Sequence, residues 1–158
     1  MSATNSPAGL SLQLALPEGF GEHEGFRRVL ELLRRLQFTG LELNIQRFDA
    51  VRAADVERLL DAFGLRLRYF ASGLTAKAEG LSLSAPDEAQ RQRAVQRCLE
   101  MIDFTAGFTG PPGLIIGFLK GPAGQQGQAA ARRLEASLAA LVPRAETRQV
   151  ALLLEATN

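Results

Sequence analysis

The sequence predicts an α/β fold in which five short strands alternate with four longer helices. Apolar residues recur at every second position in the short segments and at spacings of three and four in the longer ones. Glycine or proline stands at many of the junctions between the two patterns. The 158 residues are 46% hydrophobic and 22% charged, as in an ordinary globular domain. We therefore expect one domain over residues 1–158, built from repeated strand–helix units.

The first two units are predicted by clear periodicity. Strict alternation of leucine with polar or small residues predicts a strand at residues 10–16 (LSLQLAL). Amphipathic spacing then predicts a helix over residues 24–37, and Gly40 follows its end. The same two patterns predict a second strand at residues 41–45 (LELNI) and a second helix over residues 50–63.

The remaining elements continue the alternation. In chain order they are a strand at residues 65–71, a loop at 72–85, a helix from 86 to about 106, a strand at 114–119, a helix over 126–141 that resumes after Pro143 to residue 148, and a strand at 150–155. We expect Ser84 to cap the third helix, with acidic residues in its first turn. Strands joined by helices of this length run parallel with right-handed crossovers.

Two architectures accommodate five parallel strands: a flavodoxin-like open sheet and part of a (β/α)8 TIM barrel. Several strands place polar residues opposite leucines, as Glu42 and Asn44 do in the second strand. This pattern is typical of a barrel wall with a polar lumen, whereas strands covered by helices on both faces are apolar throughout. No helix follows the last strand, and an open sheet needs one there. We therefore expect a partial barrel lacking the later strand–helix units, with the open sheet as the alternative.

Composition excludes several classes of function. A formal net charge of +1 gives no basic field to attract nucleic acid. No apolar run is long enough to cross a bilayer, and residues 1–9 lack the pattern of a signal peptide, so we expect no membrane partner. The single cysteine, Cys98, cannot form an internal disulfide. These features predict a reducing, cytoplasmic setting.

Five segments resemble the sugar phosphate isomerase/epimerase family, which has the xylose-isomerase-like barrel. In chain order they are residues 38–43 (FTGLEL), 81–91 (LSLSAPDEAQR), 101–104 (MIDF), 114–121 (LIIGFLKG) and 152–158 (LLLEATN). The resemblance extends over nearly the whole chain but covers only the first five strands of the family. It implies isomerisation or epimerisation of a small ketose or aldose, or its phosphate, by metal-assisted proton transfer next to a carbonyl.

The resemblance also implies a site for one divalent cation, such as Mn²⁺ or Mg²⁺. Glu155, at the end of the fifth strand, matches the first of the four family ligands. The other three ligands would come from later strands, and the arginine, aromatic residue and second glutamate that follow in the family do not occur after Asn158. Position alone leaves open whether Glu155 is a ligand or a solvated charge. We expect the 158-residue chain to be inactive by itself.

Four residues are predicted to bind substrate, and no catalytic residue is assigned. Glu42 lies on the polar face of the second strand, where it either orients sugar hydroxyls or forms a structural network. Lys120 and Ser72 follow strands four and three, and the strand ends of a barrel form its catalytic face. Asn158 follows the predicted metal ligand.

Two other functions remain open. One is a non-catalytic half-barrel that forms homo-oligomers through its open sheet edges. The other is an AP-endonuclease-like nuclease, which the balanced charge and the single histidine disfavour.

Overall fold

A computed structural model describes residues 9–121 and 127–156. The strands are β1 (Ser11–Ala15), β2 (Gly40–Asn44), β3 (Arg66–Ala71), β4 (Gly113–Ile116) and β5 (Leu152–Leu154). They form one parallel sheet in the order β1-β2-β3-β4-β5. A flavodoxin-like sheet has its first strand between the second and third, so the observed order excludes that alternative. The structure thus confirms the prediction of a partial (β/α)8 barrel.

Five helices are present in the described ranges, one more than predicted. They are α1 (Glu24–Arg35), α2 (Ala53–Asp61), α3 (Gly73–Glu79), α4 (Glu88–Thr105) and α5 (Gly127–Arg148). Helix α3 lies inside the predicted loop at residues 72–85, and Gly80 ends it in the left-handed conformation with φ of 62°. Short 3-10 turns at Phe48–Ala50 and Phe118–Lys120 precede α2 and follow β4. Helix α5 runs without interruption through Pro143.

Local capping fixes where the helices begin. In α1 the His23 side chain accepts a hydrogen bond from the Phe26 backbone N–H, with an N–N distance of 3.1 Å. In α4 the cap is Asp87, whose carboxylate accepts from the Gln90 N–H at 2.7 Å. The predicted cap, Ser84, is therefore wrong. Asp87 immediately precedes the first helical residue and can reach an N–H of the first turn.

One face of the sheet packs against the helices and forms the core. The side chains of this face alternate along the strands, and those that are completely buried are Leu41, Leu43, Phe70, Leu114 and Ile116. Cys98 of α4 lies in the same core, and burial raises the pKa of its thiol to about 12. A fully buried, protonated thiol is unreactive, so Cys98 acts as a core side chain.

The opposite face, which we call the lumen face, carries the alternate residues. It includes Ser11, Gln13, Gly40, Glu42, Asn44, Arg68, Tyr69, Ala71, Gly113, Ile115 and Leu153. A bulge between Leu41 and Glu42 in the pairing of β2 with β3 leaves one residue of β3 without a partner. Arg68 and Tyr69 consequently both lie on the lumen face, and the next residue, Phe70, points into the core.

Ion pairs join the outer helices to one another. Arg97 of α4 contacts Glu79 of α3 at 2.8 Å and stacks over the ring of Phe48 at 4.3 Å. Asp103 of α4 contacts both Arg144 and Arg148 of α5, at 2.7 and 2.8 Å. The hydrogen bond from Arg144 is the main reason that the pKa of Asp103 lies below its usual value.

Candidate functional site

The carboxyl ends of the five strands meet at one edge of the sheet, which we call the carboxyl rim. It comprises the segments that directly follow the strands, at residues 16–20, 45–47, 72–74, 117–121 and 155–156. Catalytic groups of TIM barrels lie at this end, because the loops after the strands converge there. The predicted residues Ser72, Lys120 and Glu155 all lie on the carboxyl rim.

Glu155 and Lys120 are brought together by backbone contacts. The Glu155 N–H donates to the Ile116 carbonyl oxygen at 3.1 Å, which continues the pairing of β4 with β5 beyond the last strand residue. Lys120 Nζ donates to the main-chain carbonyl oxygen of Glu155 at 2.8 Å. The side chain of Glu155 is exposed. Lys120 therefore holds the main chain that carries this carboxylate.

Glu42 lies deeper on the lumen face than the rim residues. It is half-buried, and Gln13 Nε2 of β1 donates a hydrogen bond to its carboxylate. In the sheet register its neighbours are Gln13 on one side and Tyr69 on the other. Glu42 thus faces the lumen, as predicted, but two strands separate it from β5.

Ser72 has no exposed surface and makes two bonds to one acceptor. Its hydroxyl donates to the Ile115 carbonyl oxygen at 2.8 Å, and its backbone N–H donates to the same oxygen at 3.2 Å. These bonds join the end of β3 to β4. The expected contact of Ser72 with substrate stays a prediction, and Asn158 lies outside the described residues.

Gly73 and Phe118 of the carboxyl rim lie next to Asn44, and none of the three was among the predicted substrate-binding residues. Asn44 ends β2, and its Oδ1 accepts from the Leu74 N–H at 2.8 Å. Gly73 adjoins that amide and the ring of Phe118, which is 69% exposed. Phe118 was expected inside the fourth strand, but β4 ends at Ile116, and Gly117 begins the turn that carries the ring to the rim.

A cavity of about 520 Å³ opens between the loops that follow β1 and β2. Its walls are mainly apolar, and its polar side chains are Glu18, Gln46 and Arg47. Leu74, whose backbone N–H donates to Asn44, forms part of the wall. Concave, mostly apolar surfaces of this volume are typical of small-molecule sites.

The described residues do not form a complete metal site. No group of three His, Cys, Asp or Glu side chains within residues 9–121 and 127–156 lies close enough to share an ion. Glu155 offers the oxygen donor that Mn²⁺ and Mg²⁺ prefer, but such ions need several ligands. Within the described residues, Glu155 is the carboxylate that directly follows β5. In the same ranges, no helix combines the length and apolar character needed to cross a bilayer.

Comparison with known proteins agrees with this architecture. A protein of Sinorhizobium meliloti 1021, SMc04130, has a similar crystal structure, with a TM-score of 0.61 and 23% sequence identity. The similarity covers 93% of this chain but only 50% of SMc04130, so the chain spans about half the length of that relative. At this identity the likeness concerns the fold alone. A search of curated proteins gave no significant match.

A sequence profile of a protein family also matches this chain. The profile described as "Xylose isomerase-like TIM barrel" matches residues 22–158, which is most of the chain. The matched range includes four of the five strands and the whole carboxyl rim from β2 onwards. The chain belongs to the xylose isomerase-like TIM barrel family.

Proposed function

We propose that this chain supplies the first five strands of a sugar isomerase or epimerase and, with them, one side of its active site. The observation that carries the proposal is the position of Glu155, an exposed carboxylate at the carboxyl rim directly after β5. Family membership supports the proposal, because the segment LLLEATN that ends in Asn158 also resembles the sugar phosphate isomerase/epimerase family. The substrate class that we propose is a small ketose or aldose, free or phosphorylated.

In this proposal Glu155 contributes one oxygen ligand to a divalent cation, Mn²⁺ or Mg²⁺. Residues outside the 158 present here complete the ion's coordination. Lys120 positions Glu155 through its hydrogen bond to the main-chain carbonyl oxygen, so that the carboxylate projects from a fixed backbone. A fixed backbone matters because displacement of a metal-binding carboxylate by about 1 Å greatly reduces its contribution to the reaction rate.

The lumen face supplies polar contacts for the substrate. Glu42 offers carboxylate oxygens that accept hydrogen bonds from sugar hydroxyls, and Gln13 orients them. Ser72 lies on the carboxyl rim, and Asn158 follows Glu155 by three residues in the sequence; we propose both as further substrate contacts. The reaction that we propose begins with removal of a proton from the carbon next to the substrate carbonyl. Its return to the former carbonyl carbon, with a proton passing between the two oxygens, isomerises the sugar. Its return to the opposite face of the same carbon epimerises the sugar.

Activity measurements on a polypeptide that carries both these residues and the remaining strands test the proposal. We expect turnover of a panel of ketoses and aldoses with Mn²⁺, and a loss of at least about 100-fold in kcat/KM for Glu155→Gln, since a metal ligand acts in the transition state. Glu146→Gln, on the exposed surface of α5, is the matched control. Full activity of Glu155→Gln contradicts the proposal, as does turnover by the 158-residue chain alone.

Open sheet edges support a second candidate, a half-barrel that self-associates. Within the described residues, strands β1 and β5 each pair with a single strand. Leu10, which precedes β1, is 59% exposed, and Leu154, the last residue of β5, is 56% exposed. An apolar depression of about 300 Å³ adjoins β5 on the helix side. Unpaired edges and exposed leucines favour association. Light scattering of the 158-residue chain decides this point, because a concentration-independent monomer excludes self-association.

A nuclease is less favoured, given the net charge of +1.

A further inference from the structure

We infer that Asn44, Gly73 and Phe118 form a subsite that binds one face of the substrate's sugar ring. The inference rests on the proposed function and adds to it how the sugar is held and which residues select it. Three observations carry it: an exposed aromatic ring on the carboxyl rim, a gap beside that ring, and an oriented amide on the other side of the gap.

The ring of Phe118 is presented at the rim by the turn that follows β4. Its side chain is 69% exposed, the largest exposed fraction among the large hydrophobic side chains of the described residues. A single exposed apolar side chain is common on protein surfaces and by itself indicates nothing. Phe118, however, begins the turn that ends in Lys120, which in turn bonds to Glu155. The ring and the proposed metal ligand therefore follow the neighbouring strands β4 and β5 at the same rim.

Gly73 leaves a gap between Phe118 and Asn44. A Cβ at this position would lie 3.5 Å from Asn44 Oδ1, 3.6 Å from Asn44 Nδ2 and 3.8 Å from Phe118 Cδ2. These are ordinary contact distances, so the backbone has room for a methyl group. Gly73 begins α3, where glycine is less favourable than alanine. The glycine thus keeps open a gap that a side chain would fill.

The Asn44 amide is held in one orientation. Its Oδ1 accepts the Leu74 N–H at 2.8 Å, which directs the Nδ2 donor away from that bond and beside the gap. An apolar ligand in the gap would bury this donor without an acceptor, at a cost in free energy. The gap therefore favours a ligand with an oxygen atom at one edge.

A sugar ring can interact with Phe118 and with Asn44 at the same time. The face of an aromatic ring carries partial negative charge and attracts C–H groups that neighbouring oxygens have polarised. One face of a pyranose or furanose presents several such C–H groups, while its hydroxyl oxygens can accept from Asn44 Nδ2. A planar nucleobase could also stack on Phe118. It is the competing ligand in the test.

Binding measurements on the full 158-residue chain in metal-free buffer test the subsite. The probe is D-fructose, followed by ligand-observed NMR, with adenosine as the competing probe. We expect Phe118→Leu to weaken D-fructose binding by about 5-fold, because leucine keeps an apolar side chain but removes the ring. Gly73→Ala, which fills the gap, should weaken binding to a similar extent. Phe63→Leu, on the helical side at the end of α2, should leave it unchanged, and thermal melting confirms that each variant folds.

The subsite is overturned if D-fructose does not bind, if Phe118→Leu binds it as tightly as the parent chain, or if Phe118 supports binding of adenosine but not of D-fructose. Each of these outcomes is independent of the proposed catalytic role of Glu155. That role, as a metal ligand, is measured separately by the Mn²⁺-dependent turnover of Glu155→Gln, whereas the subsite is measured by binding in metal-free buffer. Failure of the subsite and failure of the proposed function are therefore distinguishable.

Discussion

The two faces of the sheet differ in what covers them. On the helix side Leu41, Leu43 and Phe70 have no exposed surface, because α1, α2 and α4 pack over them. On the lumen face Tyr69 remains 37% exposed, and Gln13 and Glu42 bond to each other across β1 and β2. The helix side is therefore a finished core, whereas the lumen face is a polar surface without an opposing wall in the described residues.

The helix side of the sheet therefore provides most of the stability of the fold, whereas the lumen face carries the polar side chains that we propose to contact substrate. In a closed barrel the lumen is filled by layers of side chains from strands on all sides. Here the helix side of the sheet is packed by residues of this chain, so five strands are enough to form that core. Substitutions on the helix side should therefore lower the free energy of unfolding strongly, whereas substitutions on the lumen face should lower it little.

The largest expected effect is that of Phe70→Ala, on the helix side of β3. Phe70 is completely buried and contacts the rings of Phe48 and Phe104, with centroid distances of 5.9 and 5.4 Å. Its removal leaves a cavity, and we expect the free energy of unfolding in urea to fall by about 3–5 kcal/mol. Tyr69→Ala, one residue away on the lumen face, should lower it by about 1 kcal/mol. Equal losses for the two variants would show that the faces do not differ.

An intermediate effect is expected for Ser72→Ala, at the rim where the two faces meet. The substitution removes the hydroxyl bond to Ile115, whose carbonyl oxygen keeps the bond from the Ser72 N–H. We expect the free energy of unfolding to fall by about 1 kcal/mol, measured by urea denaturation. Ser11→Ala, at an exposed position of β1, is the control and should cause no measurable change. A neutral Ser72→Ala would mean that this bond does not stabilise the rim.

The smallest expected effect concerns Asp103, on the outer surface of the helical layer. Its pKa is lower in the folded chain than in the unfolded one, so the ion pairs with Arg144 and Arg148 stabilise the fold above the unfolded pKa of about 3.9. This stabilisation is lost as the pH falls through the lower, folded pKa. Asp103→Asn should cost about 1 kcal/mol or less at neutral pH.

A pH series of thermal melts checks this prediction. The difference in melting temperature between the parent chain and Asp103→Asn should shrink as the pH is lowered below about 4, where the carboxyl of the parent chain also becomes neutral. Asp61→Asn, on an exposed part of α2 and outside these ion pairs, is the control for the loss of a surface carboxylate. A constant difference at all pH values would exclude the ion pairs as its cause.

Periodicity predicted the elements that bury a continuous apolar stripe or alternate strictly. The five strands and the helices α1, α2, α4 and α5 were all predicted, because each leaves this signature over many residues. Helix α3 was missed, since seven residues with Gly73 at the start and a lysine near the end form too short a stripe. Its one clear signal was Gly80, a glycine suited to a left-handed helix end.

The candidate site was predicted in part. The sequence placed Glu155 at the end of the fifth strand and Lys120 just after the fourth, and hence both near the carboxyl ends of the strands. It could not indicate that Lys120 bonds to the backbone of Glu155, because that contact depends on the side-by-side placement of β4 and β5. It also missed Phe118, since apolar residues stand on both sides of Gly117 and conceal the point at which the strand ends.

The order of strands in the sheet also bears on how the chain folds. Within the described residues each strand after β1 pairs with the one that precedes it, so none of these pairings has to wait for a distant part of the polypeptide. Each new unit can dock on a surface that is already complete, and relatively local pairings of this kind lower the entropic barrier to folding. During synthesis such a chain can acquire structure progressively from its amino terminus, one unit at a time, while the ribosome is still producing the rest.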